Sequence, residues 1–300
     1  MSITPELIKE LREKTNAGIL DCRKALQESG GDLEKAVLYL RAKGLKASDA
    51  KASRVAADGL VVVRIAPEGK QGVLVELNSE TDFVARNDEF RSFAGAIADL
   101  LLARPVSTVD ELKISRLAKG ETVIEALNLL VSRIGEKLGI RRFVIENAQA
   151  NEKIGSYVHL GDKIGVMVRM AGGKIPDEAL KDIAMHIAAA HPRYVSSRDV
   201  TPDILERERI LYREQQKDSG KPPQIVEKII EGKVAKFFAE VCLNEQVFIK
   251  DPTGKQTVAQ VLKAVDPSLR VVSFHRYQVG EGIEKVAGDF AAEVSKMVSS

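Results

Sequence analysis

The acidic side chains of a short segment, residues 78–90, are those most suited to acid–base chemistry. The segment reads NSETDFVARNDEF and contains two pairs, Glu80 with Asp82 and Asp88 with Glu89. Two carboxyl groups in different environments can act as general acid and general base. Acidic residues also stabilise the start of a helix through its dipole. A helix-like pattern follows directly, so capping explains these residues better than catalysis does.

Histidine and cysteine form no metal-binding or nucleophilic pattern. His186 and His191 are five residues apart, whereas a helical zinc pair needs a spacing of about four. Cys22 and Cys242 lie far apart within helix-like patterns, so we expect two buried thiols and no disulfide. The glycines of GEGI and AGGKIP complete no phosphate-binding loop, and no nucleophile elbow occurs. The sequence therefore predicts no catalytic residue, metal or cofactor, and favours a binding or regulatory protein over an enzyme.

Phe83 is the unusual residue of the 78–90 segment. Acidic residues precede it and the polar run Arg86–Asp88 follows, so no local periodicity places the ring in a core. One interpretation is an interface anchor, with the ring in a partner's apolar pocket and the Asp82 carboxylate in an electropositive or metal-associated site. The other is that the ring packs under its own sheet. The pattern alone does not decide between them.

The segment connects two predicted elements, a strand (GVLVELNS) and an amphipathic helix. Apolar residues of the helix recur at the spacing of one helical face; they are Phe90, Phe93, Ala94, Ile97, Ala98, Leu101 and Leu102. Together with the preceding strand GLVVVRIA, a later helix and the strand IRRFVIEN, they form one copy of an internal repeat. A second copy follows from IGSYVHL to RVVSFHRYQVG. The shared order of hairpin, helix, helix and strand predicts an α+β fold with two related core subdomains, at 59–150 and 151–278.

Helical segments flank the repeat and interrupt its second copy. Residues 1–45 read as three short helices with capping residues at Thr4 and Asp32, and 46–58 read as a linker. The insertion at about 203–242 reads as a protruding antiparallel helical hairpin, because the prolines that follow Gly220 end one helix and begin the next. Residues 279–300 read as a C-terminal helical module that packs on its own protein or on a partner.

Composition gives no sign of a membrane or nucleic-acid protein. The 300 residues carry 45 basic and 43 acidic side chains, for a net charge of +2. So small a net charge does not indicate binding to a membrane surface or to nucleic acid. No apolar run approaches the length of about 20 residues that a membrane span needs, and the charged start differs from a secretory signal. We expect a cytoplasmic protein that binds neither membrane nor nucleic acid directly.

Five stretches, in the same order and over nearly the whole chain, resemble the bacterial elongation factor Ts family. They are TNAGILDCRKALQESGGDLEKAVLYLR, NSETDFVARNDEF, AMHIAAAHPRYVS, SGKP and VGEGIEKVAGDFAAEV. TDFVARN and TNAGILDCRKAL are the most specific. The chain departs from the family pattern at Asn16, where glycine is commoner, and at Ile19 and Leu20, where methionines are common; only the contacts of that loop are affected.

The resemblance implies a guanine-nucleotide exchange factor of the translational GTPase elongation factor Tu, with an N-terminal module of the ubiquitin-associated type. In the family, the Asp-Phe pair contacts the GTPase near its magnesium and nucleotide site. The resemblance thus assigns Thr81, Asp82, Phe83 and Val84 to nucleotide release. It assigns the remaining partner contacts to Ile19, Leu20, His159, Gly280, Gly282 and Ile283.

The resemblance also implies a heterodimer with the GTPase, and whether it joins a larger assembly is left open. The principal alternative is a chaperone-like protein that holds the GTPase without accelerating exchange. An enzyme acting on a small molecule is the third interpretation, which the missing catalytic set disfavours.

Overall fold

The computed structural model describes residues 3–15, 17–159, 161–217 and 219–284. The chain divides into two compact units. The first combines residues up to Val62 with Val75–Phe143 and the segment from Gln278, and the second combines Val63–Leu74 with Val144–Tyr277. The boundaries predicted for the modules and subdomains remain predictions.

Helices and strands occur in separate groups along the described chain. In chain order the elements are α1 (Pro5–Thr15), α2 (Ile19–Glu28), α3 (Leu33–Asp49), β1 (Asp58–Ile65), β2 (Gln71–Ser79), α4 (Asp82–Ala85), α5 (Asp88–Ala103), α6 (Val109–Ile114), α7 (Val123–Ile134), β3 (Leu138–Asn147), β4 (Glu152–Val158), β5 (Ile164–Ala171), α8 (Asp177–Ala190), α9 (Pro202–Glu214), α10 (Pro223–Val241), α11 (Val258–Val265) and β6 (Arg270–Gln278). The predicted α+β class is confirmed. No helix among the described residues combines the length and the apolar character required to cross a membrane.

Three helices at the start of the chain share a small core, as predicted. Leu11 of α1, Leu26 of α2 and Leu40 of α3 are buried together with the thiol of Cys22. The carboxylate of Asp32 accepts a hydrogen bond from the Lys35 amide at 3.1 Å and caps α3, which satisfies a donor that the first turn leaves free.

Helix α3 is longer than the sequence indicates, because it packs on another helix. It continues to Asp49, four residues into the segment predicted as a linker. Gly44 allows this packing: a Cβ at this position would lie 3.1 Å from the Asn128 carbonyl carbon in α7. The absence of a side chain therefore lets the two backbones approach closely.

A three-stranded sheet with the order β1-β2-β3 includes the predicted hairpin. At the hairpin turn the Ala66 amide donates to the Gln71 carbonyl at 2.8 Å. Helix α5 buries the face that its periodicity predicts, including Phe90, Ile97 and Leu101, whereas Leu102 is partly exposed.

The second sheet repeats the strand order, as β4-β5-β6. Strands β4 and β5 are antiparallel, with Glu152 opposite Ala171 and Val158 opposite Gly165. Helices α8 and α11 pack on this sheet through a cluster that includes Val168, Ile183 and Leu262. In each sheet a hairpin is thus followed, after several helices, by a third strand, while the description of two related subdomains stays a prediction.

Helices α9 and α10 occupy the predicted insertion. Helix α9 ends at Glu214, and α10 begins at Pro223. The proline thus occupies the first turn, where its missing amide hydrogen removes no hydrogen bond of the helix. Lys233 of α10 lies 5.4 Å from the ring centre of Tyr212 in α9.

Phe237, Val200 and the buried thiol of Cys242 form a cluster near the end of α10. Burial raises the pKa of the Cys242 thiol to about 11, so it behaves as a small apolar group.

Most of the predicted C-terminal helical module, residues 285–300, lies outside the described residues. The described chain continues beyond β6 as far as Glu284. It includes Gly280, Gly282 and Ile283, so these three of the predicted partner-binding residues can be placed.

Candidate functional site

The ring of Phe83 is exposed to solvent. Its relative exposure is 77%, although it belongs to a helix whose next two residues, Val84 and Ala85, are 6% and 4% exposed. The structure therefore excludes the interpretation in which Phe83 packs under its own sheet. An exposed ring beside two buried residues is typical of an interface anchor.

The turn that carries Phe83 is held at its start by hydrogen bonds. Both the amide and the hydroxyl of Thr81 donate to the Glu136 carboxylate, at 3.0 Å and 2.7 Å. The hydroxyl of Ser79, which is fully buried at the end of β2, donates to the Thr81 carbonyl at 2.8 Å. The polar groups of Thr81 are thus directed into its own protein.

The end of the same turn is also fixed. The Asn87 amide donates to the Val84 carbonyl at 3.0 Å. Its side-chain oxygen accepts from the amides of Glu89 and Phe90, at 2.9 Å and 3.2 Å, and caps α5. The side chain of Val84 is buried within the protein, which holds the turn in place and leaves little Val84 surface for a partner to contact.

The acidic residues beside Phe83 bind neighbouring donors and do not converge on a reaction centre. Glu80 accepts hydrogen bonds from the Lys137 amide and from Arg54, the latter at 3.3 Å. The carboxylate of Asp82 lies 3.5 Å from the Arg86 guanidinium and is about half exposed. Hydrogen bonds and ion pairs within the protein, rather than helix capping, therefore account for these two carboxylates, and Asp82 keeps a surface that a partner can contact.

The N-terminal helices present a second apolar surface. Ile19 and Leu20 begin α2 and are 57% and 79% exposed, and Leu38 of α3 is also exposed. Surface leucines are common singly, but adjacent exposed apolar residues at a helix start form a patch that a partner can cover. The geometry is thus consistent with the contacts that the resemblance assigns to Ile19 and Leu20.

The segment after β6 is tied to the first unit through a buried carboxylate. Glu76 of β2 is fully buried and accepts from Arg141 at 2.9 Å, Arg142 at 2.6 Å and the Gly280 amide at 2.8 Å. A Cβ on Gly280 would lie 2.1 Å from the Ala57 carbonyl oxygen. The close approach gives Gly280 a structural role. Gly282 is exposed, whereas Ile283 is partly buried.

His159 lies in the second unit, directly after the last residue of β4. Its side chain is exposed, and its Nδ1 is 3.1 Å from the Tyr157 hydroxyl. The two rings are 6.0 Å apart between centroids. This accessible pair provides both an aromatic surface and hydrogen-bonding groups for a partner.

His186, by contrast, is a core residue. It is fully buried in α8, where its Nδ1 accepts from the Ile249 amide at 3.2 Å. Its Nε2 must therefore carry the proton that is donated to Gln246, at 3.0 Å. Burial lowers the pKa of His186 below its ordinary value, because the charged ring would lose its hydration.

The buried histidine predicts a specific pH dependence of stability. Below pH 6.5 or so, the unfolded state takes up a proton that the folded state excludes, so the free energy of unfolding falls by up to about 1.4 kcal/mol per pH unit. This decrease in the free energy of unfolding ends once the pH is below the lowered pKa of His186 in the folded state. Urea unfolding between about pH 7.5 and 5.5 measures the slope. His186→Asn is expected to flatten it, and an equal slope in that variant would contradict the assignment.

A cavity of about 600 Å³ lies within the first unit, among α1, α3, α5 and α7. Two ion pairs lie along its lining, Arg41 with Glu125 at 3.0 Å and Arg133 with Glu89. Asp88 and Glu89 line this cavity, whereas none of the residues predicted to contact a partner does. Within the described ranges, histidine, cysteine and acidic side chains form no group of three that could hold a metal ion.

The carboxylates that organise these surfaces, Glu136 and Glu76, were missed by sequence reasoning. Their partners Thr81 and Gly280 are 55 and 204 residues away along the chain. The one available signal was Glu76 itself, an acidic residue in the otherwise apolar strand GVLVELN, because a buried charge needs partners.

Comparison with known proteins identifies close relatives along the full chain. A family model described as elongation factor TS matches residues 80–281. The elongation factor Ts of Nitrosospira multiformis is 49% identical over 299 residues, which cover 99% of this chain and 96% of the relative. That of Hydrogenovibrio crunogenus is 45% identical over 295 residues, covering 98% and 97%, and that of Trichlorobacter lovleyi is 45% identical over 306 residues, covering 98% of each.

Proposed function

Because this chain belongs to the elongation factor Ts family of translation elongation factors, we propose that it binds the GTPase elongation factor Tu in its GDP-bound form and promotes exchange of GDP for GTP. Asp82 and Phe83 enter the region of the magnesium ion and nucleotide. The protein forms and breaks no covalent bond in this process and needs no cofactor.

The observation that supports this proposal most strongly is the exposure of Phe83 on a fixed turn. An aromatic side chain 77% exposed gains the free energy of burial only when a partner covers it. Because Thr81 and Asn87 fix the two ends of the turn, little conformational entropy is lost when the ring enters a pocket.

Exchange then follows from reciprocity between two binding equilibria. A protein that binds the nucleotide-free GTPase more tightly than the nucleotide-bound form must weaken nucleotide binding by the same factor. A ring inserted into a pocket that opens only without nucleotide supplies about 2 kcal/mol, or about thirtyfold in affinity. The remaining contacts, which we assign to Ile19, Leu20, His159 and the 280–283 segment, add to this preference.

Release of a fluorescent GDP analogue from elongation factor Tu of the same organism tests the proposal by stopped flow. A small amount of this protein relative to the GTPase is expected to accelerate release of the whole pool, because an exchange factor is set free when new nucleotide binds. A protein that only holds the GTPase would act at most in proportion to its own concentration. No acceleration, or a strictly stoichiometric effect, would overturn the exchange function.

A further inference from the structure

Helix α4 does not determine its own position. It spans four residues, and its N-cap residue Thr81 makes no side-chain capping bond to it. So short a helix is unstable alone, because nucleation costs more than its few hydrogen bonds return. The direction in which Phe83 points must therefore be determined by groups outside the helix.

Glu136 supplies two outside hydrogen bonds to Thr81, in addition to the one that the Ser79 hydroxyl donates to the Thr81 carbonyl. It lies in the connection between α7 and β3, and its two carboxylate oxygens accept separately from the hydroxyl and the amide of Thr81. Two charge-assisted bonds from one planar group fix both the position and the orientation of their partner. The Thr81 hydroxyl is committed to this contact, which explains why it leaves α4 uncapped.

The neighbouring residue reinforces the same contact. The Lys137 amide donates to Glu80, and the Lys137 ammonium donates to the carbonyls of Ala52 and Arg54, each at 2.7 Å. The connection at residues 136–137 is thereby fixed to the segment after α3 as well as to residues 80–81. Glu136 therefore stands on an anchored piece of backbone and can hold Thr81 in one place.

We propose that Glu136 is a positioning residue for nucleotide exchange, which holds Thr81 so that the α4 turn presents Phe83 in the conformation that the GTPase accepts. The proposal rests on the exchange function proposed above. Glu136 acts through Thr81 and leaves contact with the GTPase to the turn itself.

The effect of losing this contact follows from the population of the competent turn. When only a fraction of the molecules presents Phe83 correctly, the apparent affinity is the intrinsic affinity multiplied by that fraction. In Glu136→Gln the amide nitrogen cannot accept from Thr81, and the negative charge is lost. We expect an apparent KM for the GDP-bound GTPase about tenfold higher, since hydrogen bonds to a charged group are worth about that factor.

A lone tryptophan reports the turn independently of any GTPase. The sequence contains no tryptophan, so Phe83→Trp introduces a single fluorophore at an exposed position. In that background, Glu136→Gln is expected to lower the residual anisotropy of the fluorescence decay, because the turn moves more freely. Glu111→Gln is the matched control: it removes a carboxylate that accepts from the Ser107 amide at 2.8 Å, and its bond lies outside the α4 turn. It should leave the anisotropy unchanged.

Exchange kinetics then separate positioning from direct contact. Glu136→Gln should raise KM and leave kcat nearly unchanged, because a saturating GTPase selects the competent turn. Thr81→Val removes the same hydroxyl contact from the other side. If Glu136 acts through Thr81, the double variant is no slower than the slower of the two single variants. Circular dichroism melting of each variant shows whether it is folded. If Glu136→Gln does not fold, Thr81→Val tests the same contact in its place.

The anisotropy and the exchange kinetics together distinguish failure of the positioning role from failure of the exchange function. Unchanged anisotropy in Glu136→Gln would overturn the positioning role, whatever the kinetics. Lower anisotropy with unchanged KM would also overturn it, because the turn would then be mobile without consequence. If the protein with Glu136 intact accelerates no GDP release, the exchange function fails, and the role of Glu136 in exchange fails with it, while the anisotropy still shows whether Glu136 orders the turn.

Discussion

Phe83→Ala is expected to slow catalysed GDP release from elongation factor Tu by about thirtyfold, the factor that corresponds to the roughly 2 kcal/mol of a buried aromatic anchor. The variant should remain folded, because the ring is 77% exposed and leaves no cavity when it is removed. Stopped-flow release of a fluorescent GDP analogue measures the rate, and circular dichroism measures the melting temperature. Asp82→Ala is expected to act in the same direction with a smaller effect.

The matched control for this prediction is Ile114→Ala. Ile114 ends α6, is 71% exposed and belongs to the same unit, but it is outside the predicted site. Its removal should leave both release and melting unchanged. Equal slowing by the two variants would point to a general loss of surface hydrophobicity, and unfolding of Phe83→Ala would mean that the ring stabilises the fold.

Glu76→Ala is expected to lower the free energy of unfolding by about 3 kcal/mol, the lower end of the range for breaking a buried ion pair. The carboxylate is fully buried and accepts from Arg141, Arg142, Asn78 and Gly280. The arginines are about one quarter to one third exposed, so they regain some hydration, which keeps the loss from being larger. Urea unfolding followed by circular dichroism measures the difference.

Loss of Glu76 should also free the segment that follows β6. The Gly280 amide loses its acceptor, and Arg141 and Arg142, which also bind Glu281, are no longer held in place. Limited proteolysis is expected to cut near residues 279–284 faster in Glu76→Ala than in the intact protein. Glu68→Ala, in an exposed position of the β1–β2 turn, is the control. A Glu76→Ala protein as stable as this control would show that the buried network contributes no net stability.

Local sequence rules predicted most of the helices and strands. The periodicity of α5 placed Phe90 and Ile97 in the core, and Asp32 and Pro223 were identified as helix starts. These features depend on residues within one or two turns, so they are readable without knowledge of the fold. The rule failed for α3, which runs past its expected end because Gly44 packs against α7.

The candidate site was only partly predictable. Residue type and isolation from both periodic patterns identified Phe83, and family motifs identified its neighbours. The burial of Val84 and the contacts of Gly280 were not foreseen, because nothing in their immediate sequence distinguishes them from exposed positions. Both depend on backbone that arrives from elsewhere in the chain.

The sequence by itself determined the family, the positions of most elements and the absence of a catalytic pattern, since motifs, capping and periodicity act over short distances along the chain. Only the tertiary structure decided that the Phe83 ring is exposed and that Glu136, 55 residues from Thr81, holds its turn. Exposure and long-range hydrogen bonding depend on which segments meet in space. A side chain's own neighbours in sequence do not carry that information.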